Sequence, residues 1–241
     1  MKNYNLEKFK LYLKELDISL SEEQYEQFLI FYEMLIEKNK VMNLTAITDF
    51  DEVIIKHFVD SLSLVKAYDL TGEVHIIDIG TGAGFPGIPL KIAFPNIEIT
   101  LLDSLNKRIK FIDEVIDTLS LQGIKAIHGR AEDYAKPDQL REVFDLCVSR
   151  AVANLTTLSE YCLPFVKVDG KFISYKSEKI VEEIKAAEKG IHILGGKIGN
   201  QIELTLPGSD IYRNLFVISK KKNTPKIYPR KAGLPAKEPL C

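Results

Sequence analysis

A glycine-rich segment, DIGTGAGFPG over residues 78–87, carries the strongest chemical signal in the sequence. Glycines at positions 80, 82 and 84 allow a tight turn with positive φ and let a ligand lie directly against the backbone. A helix that begins after such a turn also presents unpaired N–H groups to the ligand. Gly82, Gly84 and Gly87 fit the dinucleotide spacing G-x-G-x-x-G, which alone is weak evidence. The segment predicts a binding loop for a nucleoside-containing cofactor.

Two acidic residues help to choose between the cofactors that such a loop can bind. Asp78 precedes the first glycine, and Asp103 ends the next predicted strand. The first acid fits the cationic methionine portion of S-adenosylmethionine, and the second can accept hydrogen bonds from both ribose hydroxyls. NAD enzymes share the second acid but not usually the first. The pair favours a methyltransferase over a nucleotide oxidoreductase or a loop with only a structural role, although Asp103 could also cap a helix.

Two later loops follow further predicted strands. After the third strand, in the segment Gly129-Arg130-Ala131-Glu132-Asp133, a backbone N–H and a carboxylate could read an adenine edge, and a solvated loop is the alternative. After the fourth strand, Arg150 stands where a methyl group would be delivered. A guanidinium can bind a cofactor carboxylate or a nucleic-acid phosphate, and it can also form a structural ion pair. The sequence leaves these roles of Arg150 open.

The end of the chain is strongly basic. Residues 220–241 hold seven Lys and Arg against the single acid Glu238, whereas residues 1–71 hold eight against thirteen. Charge with an interleaved aromatic residue, here Tyr228, suits looped or single-stranded RNA. We expect a phosphate-binding arm, with a solubilising tail as the alternative. The basic residues expected to contact RNA are Lys220, Lys221, Lys222, Arg230 and Lys231.

The elements that must position these residues form an α/β pattern. From Val74 onward, buried strands alternate with helical stretches, which predicts right-handed crossovers and a doubly wound, Rossmann-like parallel sheet with helices on both faces. The last two predicted strands, 197–206 and 214–221, have no helix between them and should pair as an antiparallel hairpin. Such an ending is typical of S-adenosylmethionine-dependent methyltransferases, a fold analogy only.

The pattern divides the chain into three parts. Residues 1–71 read as an N-terminal helical cap, residues 72–221 as the methyltransferase domain, and residues 222–241 as a basic arm. Ser21, followed three residues later by Gln24, predicts a capping box at the start of the second helix. A short helix is also expected around residues 138–143, before the fourth strand.

Composition excludes several classes of protein. The 241 residues are 46% hydrophobic and 27% charged with a net charge of -2, which is ordinary for a globular chain. No apolar run is long enough to span a membrane and the first twenty residues do not resemble a signal peptide, so we expect a cytoplasmic protein. Cys147, Cys162 and Cys241 show no metal-ligand spacing and are expected to be reduced thiols. His57 has no other metal-ligating residue type at a useful spacing and is expected to be a packed or capping histidine, with a substrate contact as the alternative.

Several motifs together resemble one known family, the bacterial 16S ribosomal RNA guanine-N7 methyltransferases (RsmG, or glucose-inhibited division protein B). The resemblance extends in order over nearly the whole chain. The glycine loop alone indicates only the superfamily, whereas FPGIP, SRAVA and PRKAG together are far more specific. The motifs are HFVDSL (57–62), DIGTGAGFPGIPL (78–90), TLLDSLNKRIKF (100–111), RAED (130–133), SRAVA (149–153) and the terminal YPRKAGLPAKEPL.

The resemblance implies a substrate, a cofactor and a set of contacts. It implies methylation of N7 of guanine-527, in the 530 loop of 16S ribosomal RNA, free or within the small ribosomal subunit. The cofactor would be S-adenosylmethionine. By the same resemblance, the residues that contact the cofactor are Gly80, Phe85, Ala131, Glu132 and Arg150, with Asp103 as an addition.

The chemistry of the guanine ring agrees with this implication. N7 carries a free lone pair, so its attack on a methyl group needs no general base, and no catalytic base is expected. Rate would come from holding N7 in line with the methyl–sulfur bond. Two other functions stay open from the residues: a methyltransferase acting on a small molecule or a protein, and a non-catalytic RNA-binding regulator. The sequence leaves the oligomeric state unassigned.

Overall fold

A computed structural model of the chain describes residues 4–150, 153–178 and 180–240. The described chain begins with two helices, α1 (Glu7–Glu15) and α2 (Glu22–Met42). The capping box predicted at the second helix is confirmed, because Ser21 Oγ accepts the Gln24 N–H while Gln24 Oε1 accepts the Ser21 N–H. Ala151 and Val152 of the SRAVA motif, and Cys241, lie outside the described residues.

A third helical stretch, residues 50–66, is not a uniform α-helix. It starts as α3 (Phe50–Val53), widens into a π-helical turn (Ile54–Val59), returns to α-helix in α4 (Asp60–Leu62) and ends in a 3-10 turn (Ser63–Lys66). The Asp60 N–H donates to the Ile55 carbonyl, five residues back. A π-turn changes the direction of the side chains that follow it, and such turns are frequent at functional sites.

Seven strands of the described chain form one sheet. Their bounds are β1 His75–Ile79, β2 Glu98–Asp103, β3 Ile124–His128, β4 Phe144–Ser149, β5 Val166–Lys176, β6 Gly196–Thr205 and β7 Tyr212–Lys220. The order is β3-β2-β1-β4-β5-β7-β6. The first five strands run parallel, and β7 is antiparallel to both β5 and β6. The predicted parallel sheet with an antiparallel end is therefore confirmed.

Helices connect the parallel strands and cover both faces of the sheet. The longer ones bury one stripe of apolar residues each, as in α6 (Asn106–Thr118), where Ile109, Ile112 and Val115 are buried. None of the described helices is long and apolar enough to cross a membrane. The remaining helices are α5 Gly87–Ala93, α6 Asn106–Thr118, α7 Ala131–Tyr134, α8 Leu155–Cys162, α9 Val181–Ile193 and α10 Leu234–Lys237.

The prediction of a short helix around residues 138–143 is wrong. This stretch consists of turns, and the only helix described between β3 and β4 is the four-residue α7. Asp138 and Glu142 have φ angles of 67° and 54°, in the left-handed region, which an α-helix cannot include. These turns instead hold Arg141, whose guanidinium donates to the backbone carbonyls described below.

The hydrophobic core is divided by the sheet. On one face, the N-terminal helices pack against α5 and α6, and the rings of Phe9, Phe28, Phe31 and Phe58 lie together. On the other face, α8 and α9 cover a second cluster that includes Cys147 and Cys162, both buried free thiols. The N-terminal helices thus share one core with the sheet.

Candidate functional site

The glycine loop adopts the tight turn with positive φ that its sequence predicts. Gly80, Gly82 and Gly84 have φ angles of 73°, 64° and 95°, which disfavour residues with a side chain. The Gly80 N–H donates to the carbonyl of Leu102 at 2.8 Å, so the loop is tied to the end of β2. A Cβ built on Gly82 would meet no atom within 4 Å, which shows that this backbone faces open space.

Asp78 lies beneath the loop and braces it from inside. Its Oδ2 accepts hydrogen bonds from Thr81 Oγ1 at 2.7 Å and from the Gly87 N–H at 3.1 Å, and its side chain is inaccessible to solvent. The prediction that this carboxylate contacts the cofactor is therefore corrected, because its hydrogen bonds go to the loop and it is not among the residues that line the two cavities described below. Its Oδ1 is buried and has no hydrogen-bond partner among the described residues.

Burial raises the pKa of Asp78 to about 7, against the lowering effects of its bonds to Thr81 and Gly87. Since the unfolded chain releases this proton near the ordinary pKa, stability falls as the pH rises from about 4 to about 7, by about 4 kcal/mol in all. Asp78→Asn keeps one oxygen for the two donors and cannot ionise. We therefore expect its urea unfolding free energy to fall less between pH 5 and pH 8 than that of the unaltered protein.

A matched control for Asp78→Asn is Asp69→Asn, which removes an exposed carboxylate whose pKa is lowered by hydrogen bonds from Thr71. This control should keep the pH dependence of the unaltered protein over the same range. Equal slopes for Asp78→Asn and the control would show that Asp78 does not take up a proton on folding.

Asp103 ends β2 beside the loop and is almost fully buried. Its Oδ2 accepts the Gly82 N–H at 3.0 Å and the guanidinium of Arg108 at 3.1 Å, and its Oδ1 accepts the Leu105 N–H at 2.9 Å. The carboxylate therefore fixes the glycine loop, the start of the following helix and an arginine at once. Helix α6 itself is not capped by a side chain, so the helix-cap alternative for Asp103 gains no support.

A cavity of about 510 Å³ opens above the carboxyl ends of β1, β2 and β3. This is the edge of the sheet where doubly wound folds bind their ligands. Of the predicted cofactor residues, it brings together one glycine, two carboxylates and Ala131. The lining includes Gly80, Asp103, Arg108, Ala131, Glu132, Tyr161 and Gly233.

A second cavity of about 530 Å³ lies next to the first and shares Gly80 and Arg108 with it. It is bounded by the 57–60 region of the π-turn, by the glycine loop and by β7. The predicted site residues Gly82, Phe85 and Arg150 line this cavity rather than the first. Its other lining residues are Leu44, Thr45, Lys56, His57, Asp60, Thr81, Ala83 and Arg213.

A buried ion cluster forms one wall of the second cavity. Arg150 Nη1 donates to Asp60 Oδ2 at 2.8 Å, and Arg213 forks onto both oxygens of the same carboxylate at 2.6 and 3.0 Å. The Asp60 side chain is 1% exposed. The guanidinium of Arg150 also lies over the ring of Phe85, 5.1 Å from its centroid. The ion-pair alternative for Arg150 is thus realised in this structure, at a cavity wall.

His57 packs between these groups as a neutral ring. It stacks on Phe85 with 4.5 Å between ring centroids. Burial, and then the charge of Arg150, lower the pKa of His57 to about 3. Its Nδ1 faces a guanidinium, which can only donate, so the ring proton is assigned to Nε2, which lies 2.8 Å from Thr45 Oγ1. The prediction of a packed histidine is confirmed, and the ring is a poor base at neutral pH.

The basic residues at the end of the chain do not form a free arm. Lys220 is fully buried, and its Nζ donates to the carbonyl of Leu163 and to Thr224 Oγ1, both at 2.7 Å, beside Glu142 at 3.2 Å. Burial lowers the pKa of Lys220 to about 8. The prediction that Lys220 contacts RNA is therefore wrong, because this ammonium is a structural group inside the protein.

The other four predicted RNA contacts differ in their surroundings. Arg230 is bound to the buried Glu160 and is only 20% exposed, so it too has a structural partner. Lys221, Lys222 and Lys231 are exposed. Because β7 ends at the edge of the sheet opposite the two cavities, Lys221 and Lys222 lie away from them, whereas Lys231 lies two residues from Gly233 in the cavity wall.

Sequence reasoning missed Asp60, Arg213, Arg108 and Gly233. Asp60, Arg108 and Gly233 are part of motifs named in the sequence analysis, but no spacing links Asp60 to partners 90 and 153 residues away. Among the described residues, no group of three or more His, Cys, Asp or Glu could hold a metal ion.

Three features define the class of protein: the glycine loop after β1, the acids Asp78 and Asp103 that hold this loop, and the parallel sheet with its antiparallel end. Together they define a Rossmann-like fold of the S-adenosylmethionine-dependent methyltransferase class. Within that class, the sequence is more specific. The chain belongs to the rRNA small subunit methyltransferase G (GidB) family, whose model matches residues 24–205.

Individual relatives agree with this assignment. A ribosomal RNA small subunit methyltransferase G from Lachnoclostridium phytofermentans is 54% identical over 228 residues, with 95% of this chain and 94% of the relative covered. One from Exiguobacterium sibiricum is 44% identical, with 98% and 99% covered. Among solved structures, a methyltransferase from Pyrococcus furiosus has a TM-score of 0.56 at 13% identity, covering 84% of this chain and 100% of that one. At such low identity, the structural match shows the fold alone.

Proposed function

We propose that the protein transfers the methyl group of S-adenosylmethionine to N7 of a guanine in 16S ribosomal RNA, guanine-527 of the 530 loop. The family supports ribosomal RNA of the small subunit as the substrate. The methyl donor is supported by the fold and by a neighbour described as a SAM-dependent methyltransferase from Aquifex aeolicus, with a TM-score of 0.52. The guanine and its N7 atom are proposed from the chemistry of the second cavity, and position 527 is proposed from the family resemblance of the sequence motifs.

The first cavity fits the nucleoside part of the donor. Its volume of about 510 Å³ lies within the usual range for small-molecule sites. Gly80, which lines this cavity, has no side chain, so a ligand can lie close to its backbone. Asp103 offers a carboxylate to ribose hydroxyls, and Glu132 offers one at the adenine end. S-adenosylmethionine, when bound, supplies a methyl group activated by its sulfonium charge.

The observation that most supports this proposal is that the described lining of the second cavity contains no free base. The one carboxylate among its described lining residues, Asp60, has both oxygens engaged by two arginines. The one imidazole, His57, shares its Nδ1 with Arg150 and is neutral. A nucleophile that had to lose a proton would find no acceptor here. Guanine N7 needs none, since its lone pair is free in the neutral base.

The charges of the same cavity favour the phosphates of RNA and the O6 edge of guanine. Arg108, Arg150, Arg213 and Lys56 line it against the single carboxylate of Asp60. This positive field favours phosphates, and a guanidinium can donate to guanine O6 while N7 stays free to react. The flat stack of His57 on Phe85 gives the wall an aromatic face. These residues bind, orient and shield the base, which is the whole of the catalysis required of them.

The proposal is tested by incubating the protein with labelled S-adenosylmethionine and small ribosomal subunits from cells that lack this methylation. The RNA is then reduced and cleaved with aniline, which breaks the chain at N7-methylguanine. We expect one new cleavage, at guanine-527. Arg150→Ala should lower the rate by at least about tenfold, since a cavity-wall guanidinium is lost.

Other outcomes separate the competing functions. Label in the RNA without strand cleavage would overturn the N7 assignment and keep an RNA methyltransferase. Label only in a protein or a small molecule would favour the second function left open by the sequence. No transfer at all, with RNA still bound, would favour the non-catalytic regulator.

A further inference from the structure

The last part of the chain is folded along the protein as a strap, defined as residues 224–240. At its start, the guanidinium of Arg141 donates to three of its carbonyls, at Thr224, Pro225 and Tyr228, the last at 2.7 Å. Arg141 comes from the turns before β4, where a helix was expected and is absent. The strap therefore leaves the sheet in a fixed direction, toward α7 and α8.

A buried ion pair fastens the middle of the strap to α8. The Arg230 side chain donates to both oxygens of Glu160, with its shortest bond, from Nη2, at 2.7 Å, and the Arg230 N–H donates to the same carboxylate at 2.8 Å. Glu160 is inaccessible to solvent. Arg230 Nη2 also donates to the Glu238 carbonyl, so one arginine joins two parts of the strap to one buried acid.

The end of the strap is packed as closely as a core element. Thr157 Oγ1 on α8 donates to the Pro235 carbonyl at 3.3 Å. A Cβ built on Gly190 of α9 would lie 2.6 Å from the carbonyl oxygen of Leu240, a distance that no real side chain tolerates. The helices beneath the strap are thus shaped to receive it.

Between Arg230 and Pro235, the strap reaches the first cavity. Gly233 lines that cavity together with Gly80, Asp103 and Glu132. The Gly233 N–H donates to Glu132 Oε1 at 2.8 Å. Glu132 is 5% exposed, and its Oε2 accepts no hydrogen bond from any described residue. The strap therefore orients one carboxylate oxygen and leaves the other for a ligand.

We infer that the strap is a wall of the cofactor site and that Gly233, through Glu132, is a positioning residue for cofactor binding. The inference rests on the proposed function for the identity of the ligand, S-adenosylmethionine. It assigns to the C-terminal segment a role in binding the cofactor that is separate from any contact with RNA. Because the Gly233 N–H orients Glu132 at the cavity, we expect a ligand that binds this carboxylate to favour the closed strap, and by linkage the closed strap then favours the ligand.

The first test measures the binding of S-adenosylhomocysteine, which cannot react, by calorimetry without RNA. Arg230→Ala removes the clamp on Glu160, and we expect affinity to fall by at least about tenfold. Gly233→Ala keeps the N–H but places a side chain at φ 83°, where an added Cβ would meet no atom within 4 Å. Its expected loss of about fivefold would therefore come from the altered backbone rather than from a blocked cavity.

The matched control is Lys226→Ala, which removes a positive charge from the same strap at an exposed position with no hydrogen bond or ion pair to the described residues. Its affinity should stay within about twofold, as for most exposed substitutions. Equal affinities for Arg230→Ala, Gly233→Ala and the control would overturn the inference, even if Arg230→Ala lowered the melting temperature. A merely structural strap would change stability alone.

A second measurement uses the unaltered protein, in case Arg230→Ala does not fold. Saturating S-adenosylhomocysteine should slow tryptic cleavage after Lys231 by about tenfold, because the ligand holds the strap closed. An unchanged cleavage rate in a protein that binds the ligand would overturn the inference alone. Failure of the unaltered protein to bind S-adenosylhomocysteine would overturn the proposed function and the inference with it.

Discussion

Asp60→Asn is expected to lower the free energy of unfolding by about 3–5 kcal/mol, the usual result of removing one member of a buried ion cluster. The carboxylate is 1% exposed and accepts three hydrogen bonds from Arg150 and Arg213. An amide can accept with its oxygen only, and its NH₂ group would face a guanidinium. Two arginines would then stay buried without a counter-charge. Denaturant unfolding monitored by circular dichroism measures this loss.

The same substitution should lower methyl transfer to the RNA by at least about hundredfold at a temperature where the variant stays folded. Without Asp60, Arg150 and Arg213 lose the group that holds them at the cavity wall, and misplacement by about 1 Å can cost that much. Affinity for S-adenosylhomocysteine should change far less, since Asp60 does not line the first cavity. A purely structural role would lower both together.

Asp51→Asn is the matched control, because it lies on the same helical stretch and removes the partner of Lys8 at the surface. Both members of that pair are about half exposed, at 49% and 59%. Exposed pairs contribute about 0–1 kcal/mol, so the control should keep stability and rate. If Asp60→Asn behaved like Asp51→Asn, the cluster would not position the site.

The sequence predicts the parts of this protein that depend on local pattern. Strand β4 (Phe144–Ser149) ends directly before Arg150, as expected from the placement of this arginine after the fourth predicted strand. The short apolar run between polar turns indicated a buried strand. The glycine loop could be predicted from residue type alone, because positive φ angles such as those of Gly80, Gly82 and Gly84 favour glycine over other residues. The acid at the end of β2, Asp103, follows from the topology of parallel sheets.

Contacts between distant residues could not be predicted in this way. The partners of Asp60 come from a loop after β4 and from the start of β7, and only the folded sheet brings them to one carboxylate. Similarly, Gly233 joins Glu132 across 101 residues. Neither pair has a spacing that a single sequence can display.

The burial of Lys220 was indicated by its position in the strand, but the run of three lysines pointed to the surface. Lys220 looked like the first of three surface lysines, yet it lies in register with Phe216 and Ile218 on the face of β7 that packs into the core. Strict alternation therefore placed its side chain inside. The run of three lysines suggested that the Lys220 side chain lies in solvent. The alternation of side chains along the strand instead directs it into the protein, where it lies beside Glu142.

Asp103→Asn is expected to lower affinity for S-adenosylhomocysteine by about hundredfold, which corresponds to about 2.7 kcal/mol. The carboxylate is 3% exposed and accepts from three donors: the N–H groups of Gly82 and Leu105, and Arg108. An amide has one acceptor oxygen, so its NH₂ must face either the Gly82 and Arg108 donors or the Leu105 N–H. Charge-assisted bonds of this kind contribute about 1.5–3 kcal/mol each. Calorimetry measures the loss directly.

The division of this effect between KM and kcat distinguishes binding from chemistry. Asp103 lines the first cavity and not the second, so KM for S-adenosylmethionine should rise while kcat at saturation changes by less than about fivefold. Asp117→Asn, an exposed carboxylate on α6, is the control and should leave both unchanged. Arg108→Ala shows whether the released arginine contributes: because Arg108 borders both cavities, it should alter kcat as well as KM. A fall in kcat alone for Asp103→Asn would instead place this carboxylate at the reacting base.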